Sequence, residues 1–236
     1  MDMKQIVLYA VILIILYLVW NYIFSDSTSK NLITMTEGTK QKKITADSLP
    51  GNKGSNDFTY SFWIYINDWN YNYGSKKTII ERTNGDNKGP VIYLGEHKND
   101  LHVQLTTYSE TGGNVGEQND NIVENIPVQK FTHLVVTINN SAVDIYLDGK
   151  LVKTEVLPNP PKIDEVADQA IYVNKNKGFS GYLAKLKYYS RALNPREVYE
   201  IYKEGYGAGL LGGLLNRYKL KFAFLKDNNE ITSMQI

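Results

Sequence analysis

The sequence contains no cysteine. Disulfide frameworks and thiolate metal centres are thereby excluded, and a disulfide-free domain of this size suits a reducing compartment. Neither sign of charge is in excess: 26 Lys and Arg stand against 25 Asp and Glu, for a net charge of +1. No basic or acidic field therefore points to nucleic acid or to a strongly charged partner. Histidine is scarce, and His97, His102 and His133 share no metal-ligand spacing. His102 falls on the polar face of an alternating stretch. One sequon, Asn139-Asn140-Ser141, is of a kind that arises by chance.

What the chain does have is one long apolar run. Ile6 to Phe24, IVLYAVILIILYLVWNYIF, carries no charge. As a helix it is about 28 Å long, close to the hydrocarbon thickness of a bilayer. Trp20 and Tyr22 stand at its distal end, where amphipathic rings favour the headgroup region. No small-x-small cleavage site follows, so the run reads as a retained single-pass anchor and not as a signal peptide. Ile6, Trp20, Tyr22 and Phe24 are its candidate lipid contacts. Lys4 against Asp2 on one side, and Lys30 against Asp26 on the other, leave the orientation open. We read residues 1–25 as the anchor, 26–30 as a connector and 31–206 as the folded domain. Residues 207–236 read as a glycine-rich loop and a C-terminal hairpin.

The domain has the pattern of short strands and turns. Its 18 Tyr residues suit half-buried strands, and tyrosine also lines sugar-binding surfaces. Tyr60 to Asn67 suits a central strand. Thr78 to Arg82 and Val91 to Gly95 flank a polar loop. Leu101, Val103 and Leu105 alternate with His102, Gln104 and Thr106, the period expected of one buried face. Phe131 to Val156 predicts a three-stranded antiparallel meander. Its turns are Asn139-Asn140-Ser141 and Asp148-Gly149, the latter relying on glycine's tolerance of positive φ. Asn194, Pro195 and Glu197 have capping-box spacing at the start of one short helix, and Gly205 stops it. Lys219 to Leu225 and Ile231 to Ile236 read as a last hairpin. One short helix after many strands predicts an all-β domain.

These residues carry a family resemblance. Phe58-Thr59-Tyr60-Ser61-Phe62-Trp63-Ile64-Tyr65 resembles the first strand of laminin-G-like, concanavalin A-like domains. Phe131-Thr132-His133-Leu134-Val135-Val136-Thr137 resembles their Trp-x-His-Val-x-Val strand, with Phe131 in place of Trp. Val143 to Lys150 resembles their Tyr-x-Asp-Gly hairpin, and Phe179 to Leu193 their closing strand, followed by the helix at Asn194-Pro195-Arg196-Glu197-Val198. The resemblance implies an antiparallel two-sheet jelly roll over residues 31–206. A narrower likeness rests on the anchor, on Asp68-Trp69-Asn70-Tyr71 and on Tyr202-Lys203-Glu204-Gly205-Tyr206-Gly207. Together these resemble membrane-anchored concanavalin-like virion proteins of large nucleocytoplasmic DNA viruses.

Glucanases of this superfamily need two carboxylates across the scissile bond, usually on a Glu-x-Asp-x-x-Glu strand. The nearest acidic group is Asp164, Glu165 and Asp168, which follows Pro160-Pro161 and lacks that alternation. No catalytic residue and no metal site is assigned, and an enzyme is not expected; a glycoside hydrolase would depend on Glu165. No cofactor is assigned either. Calcium stays open through the loop oxygens of Asp86, Asn87, Asp120 and Asn121. Trp69, Tyr71 and Tyr73, interleaved with Asn70 and Asn72, form a candidate surface for a glycan or a protein partner. The expected function is a non-enzymatic, membrane-anchored structural or interaction protein. The virion-type likeness implies a minor capsid protein linking an inner membrane to the capsid shell. The alternative is a membrane-displayed, lectin-like glycan binder. Expected partners are membrane lipid and other structural proteins, with no nucleic acid.

Overall fold

A computed structural model describes residues 3–23, 27–45, 48–51, 56–84, 87–109, 117–162, 170–207, 221–226 and 229–235. The apolar run folds as helix α1, Met3–Ile23. Its described apolar side chains, Leu8, Tyr9 and those from Val11 to Val19, are all exposed. Counting described residues alone, no helix is long and apolar enough to cross a membrane. Of the expected lipid contacts, Phe24 lies outside the described residues, and Ile6, Trp20 and Tyr22 are placed in α1 by backbone only.

The domain is two six-stranded antiparallel sheets, as the alternation and the resemblance predict. Its strands are β1 (Ser29–Glu37), β2 (Lys42–Thr45), β3 (Phe58–Asp68), β4 (Lys77–Asn84), β5 (Asn87–Leu94), β6 (Leu101–Thr107), β7 (Glu117–Val123), β8 (Phe131–Asn139), β9 (Ala142–Leu147), β10 (Lys150–Val156), β11 (Ala170–Val173) and β12 (Ser180–Tyr189). The first sheet runs β1-β12-β3-β8-β9-β10 and the second β2-β11-β4-β5-β6-β7. The crossovers that place β12 between β1 and β3 make this a jelly-roll sandwich. β1 begins at Ser29, inside the stretch read as connector. A separate hairpin, β13 (Lys221–Lys226) and β14 (Asn229–Gln235), forms where the C-terminal hairpin was expected.

Period-two burial builds the core. Phe58, Tyr60, Phe62, Ile64 and Ile66 of β3 turn inward to meet Ile92, Leu94, Leu101, Val103 and Leu105 of the second sheet. Burial of aliphatic and aromatic side chains of this size stabilises by about 1.5–3 kcal/mol each before conformational entropy is subtracted. The predicted helix is α2, Pro195–Glu204. The Asn194 side chain accepts from Glu197 N at 3.0 Å, and Asn194 N donates to Glu197 Oε2 at 2.9 Å. α2 lays Val198 and Ile201 on Val135, Tyr146, Tyr189 and Leu193, covering part of the outer face of the first sheet.

Candidate functional site

Three loops meet at one end of the second sheet: β3–β4, β5–β6 and β7–β8. Gly74 N donates to Glu96 O at 3.1 Å, tying the first loop to the second. Ile126 N donates to Asn99 O at 2.8 Å, and Asn99 Nδ2 returns a bond to Ile126 O at 3.0 Å, tying the second to the third. Asp100, nearly buried, accepts from Asn125 N at 3.3 Å. Asn72 and Asn125 take positive φ (55° and 60°), which short amide side chains tolerate at tight turns.

Between these loops lies a groove of about 570 Å³, walled by Trp69, His97, Lys98, Asn99, Asp100, Glu124, Asn125 and Val128. A second hollow of about 320 Å³ shares His97, Lys98 and Asp100 with it and extends to Lys76, Tyr93, Glu96 and His102. Trp69 is half-buried and packs on the core, with Lys77 Nζ 4.6 Å from its ring centroid. Lys77 is itself buried and donates to Gly95 O at 3.4 Å. Burial lowers its pKa, against the pull of Glu96. Tyr73 is 60 % exposed, its ring 5.2 Å from that of His97. Tyr71 is half-buried in the same loop.

The groove opens onto the outer face of the second sheet, where the register sets a row across all six strands: Lys43, Tyr172, Glu81, Val91, Gln104, Asp120. The adjoining pair is Tyr93 and His102. Asp120 Oδ2 lies 3.0 Å from His102 Nδ1 and accepts from Tyr93 Oη and Gln104 Nε2 at 3.4 Å each. The imidazole of His102 stacks on Tyr93 at 4.7 Å, and Lys76 Nζ stands 4.7 Å from the same ring. Burial, and then the Asp120 carboxylate, push the Tyr93 phenol up. At the far side Lys175 pairs with Glu81 and lies over Tyr172.

Trp69 lines the groove, and Tyr73 reaches its rim through His97. The alternation of β6 put His102 on the polar face. Its pairing with Asp120 depends on the β6–β7 register, which no local spacing shows. His97, Asp100 and Glu124 gave no signal in the sequence. Asp120 and Asn121, both candidate calcium donors, point to opposite faces: Asn121 is buried and donates to Val103 O at 3.2 Å. Asp86 and the acidic group Asp164, Glu165 and Asp168 lie outside the described residues, and Asn87 is placed by backbone only. Among the described residues no group of three His, Asp or Glu side chains has metal-holding geometry. The remaining histidine, His133, lies fully buried on the other sheet against Trp63, at 4.9 Å between ring centroids.

The model of the concanavalin A-like lectin/glucanases superfamily matches residues 37–199. The chain belongs to this superfamily. Solved structures with the same fold include the receptor binding domain of botulinum neurotoxin C/D mosaic serotype, at 14% identity and TM-score 0.57, covering 74% of this chain and 44% of that one. The binding domain of botulinum neurotoxin serotype G matches at 16% identity and TM-score 0.51, covering 72% and 46%. The chain thus spans less than half the length of either structure. At these identities the likeness is one of fold.

Proposed function

We propose that the chain is a non-enzymatic, membrane-anchored binding module whose loop-end groove takes a glycan. The groove carries this reading: its wall sets Trp69 beside imidazole, carboxylate and amide groups of His97, Asp100, Glu124 and Asn125, and the exposed Tyr73 stands against the His97 ring. Sugars present apolar C–H faces ringed by hydroxyls, and they are bound by aromatic surface flanked by hydrogen-bonding groups. Membership of a lectin and glucanase superfamily supports binding of this class, as does fold likeness to domains named as receptor-binding. The anchored reading rests on the uncharged run Ile6–Phe24 and on the exposed apolar side chains of α1.

The test is a glycan array probed with the full chain in neutral detergent, with and without Ca²⁺. Binding should be lost in Tyr73→Ala with His97→Ala, at an unchanged melting midpoint. An array blank in both conditions, or a variant that binds as the parent does, would overturn the reading.

One surface favours a second reading, a structural module joining a virion inner membrane to a capsid protein. β10 is the outer strand of its sheet, and Leu151, Val152 and Val156 are 50%, 46% and 72% exposed. Exposed apolar edges of this kind accept a partner strand. Cross-linking in purified particles should join β10 to a shell protein; recovery from host membranes without any protein neighbour would sink this reading.

A further inference from the structure

A cavity of about 290 Å³ opens on the outer face of the first sheet, beside α2 and away from the groove. Its wall is built by a bulge. β12 uses three residue steps, Ala184 to Lys187, against two on β3, Trp63 to Ser61. The extra residue, Lys185, is held at φ 46°. A branched or long side chain there costs roughly 1 kcal/mol or more, a strain that bulges incur where they re-aim a side chain. The result is that Lys185 and Lys187 both line the cavity, with Ser61 between the strands.

Ser61 is 2 % exposed, and its Oγ is 2.9 Å from His133 Nε2. Burial drives the His133 pKa down to about 4, so the ring is neutral near pH 7. Its Nδ1 is buried with no partner among the described residues. A buried N–H without an acceptor is rarer than a bare lone pair, which assigns the proton to Nε2. Ser61 Oγ then accepts from the ring, and its own O–H remains to be donated. Among the described residues the one side-chain partner of Ser61 Oγ is His133 Nε2. Lys185, Lys187 and the nearly buried hydroxyl of Ser61 thus line one space, Lys187 Nζ standing 5.0 Å from the centroid of the Tyr189 ring that also walls it, with one carboxylate, Glu204, among the lining residues.

We propose that this cavity is an oxyanion site for a phosphate group, with Lys185 and Lys187 supplying charge and Ser61 a neutral hydrogen bond. Lysine binds phosphate as a mobile point charge, which suits side chains converging from one strand. The cavity also has room for the group that carries the phosphate. Two sources share this chemistry. Asn31 of the cavity wall follows the end of α1 by a span of at most ~28 Å of extended chain. A lipid headgroup is therefore within reach if α1 is inserted as proposed above; a soluble phosphorylated ligand needs no anchor.

The experiment melts the full chain under four conditions: in neutral detergent with millimolar inorganic phosphate, in the same detergent with chloride at matched ionic strength, in nanodiscs with phosphatidic acid and in nanodiscs without it. Phosphate, but not chloride, should raise the midpoint by about 3 °C. Lys185→Gln with Lys187→Gln should abolish the shift, and the single Lys187→Gln should reduce it if the double variant folds poorly. Lys150→Gln with Lys162→Gln should leave it intact. A shift in anionic nanodiscs alone identifies the lipid as source, and a shift with inorganic phosphate alone identifies a soluble ligand. No shift in either medium, or a shift that survives loss of both lysines, overturns the site. Flotation with neutral vesicles reports the anchor separately and should be the same in every variant.

Discussion

At the scale of single residues, two positions decide stability through geometry visible in the fold. Asp148 and Gly149 join β9 to β10 with φ of 48° and 75°, both left-handed, the geometry that matches the twist of a two-residue hairpin. A Cβ on Gly149 would also meet the Tyr202 ring at 3.0 Å, and that ring is stacked on Trp63. Gly149→Val should therefore cost about 2 kcal/mol and lower the melting midpoint by roughly 6 °C. An unchanged midpoint would show that the turn relaxes freely. His133 makes a prediction about pH. Burial lowers its pKa from 6.5 to about 4, Asp148 opposing and Lys185 assisting. Between those values the unfolded chain binds a proton that the folded chain does not. Stability is then full above about pH 6.5 and falls as the pH drops towards about 4, by up to about 3 kcal/mol. Urea unfolding across that window should show the fall in the parent, and a shallower one in His133→Gln. Parallel curves would remove His133 as the cause.

At the scale of elements, α2 depends on its first turn. The reciprocal bonds of Asn194 and Glu197 satisfy two backbone donors, and Arg191 Nη2 adds an ion pair to Glu197 Oε1 at 2.8 Å. Asn194→Ala should cost about 1 kcal/mol and lower the midpoint by about 3 °C. A neutral result would mean that packing on Tyr146 and Tyr189 alone holds the helix. This cap was legible because its chemistry is local, as were β6 and the β8–β10 meander, whose alternation and turn residues lie side by side. β2 and β7 were not. They are the two edges of the second sheet, and runs such as Lys42-Lys43-Ile44-Thr45 and Glu117-Gln118-Asn119-Asp120 carry little apolar periodicity because little of them is buried. β11, four residues long, is fixed by pairing with Lys42–Thr45 and Ile80–Thr83, contacts far apart in sequence. The groove was half legible for the same reason. Trp69 and Tyr73 announced themselves by composition, but His97, Asp100 and Glu124 reach it only through the closure of three loops.

At the scale of the whole molecule, the chain divides into a helix that buries no described apolar side chain and a sandwich that buries its own. The side chains described on α1 are aliphatic over most of its length, and those from Val11 to Val19 are 42–67% exposed. A helix apolar on every side is unstable in water and finds its partner in lipid or in another apolar surface. Among the described residues, the core from Ile33 to Tyr188 includes none of α1. A fragment from Ser25 onward should therefore keep a β-type circular dichroism spectrum, melt cooperatively and stay in solution without detergent. The full chain should float with neutral lipid vesicles, and the fragment should not. An unfolded fragment would mean that α1 belongs to the fold. A fragment that floats as the full chain does would place membrane attachment elsewhere in the molecule.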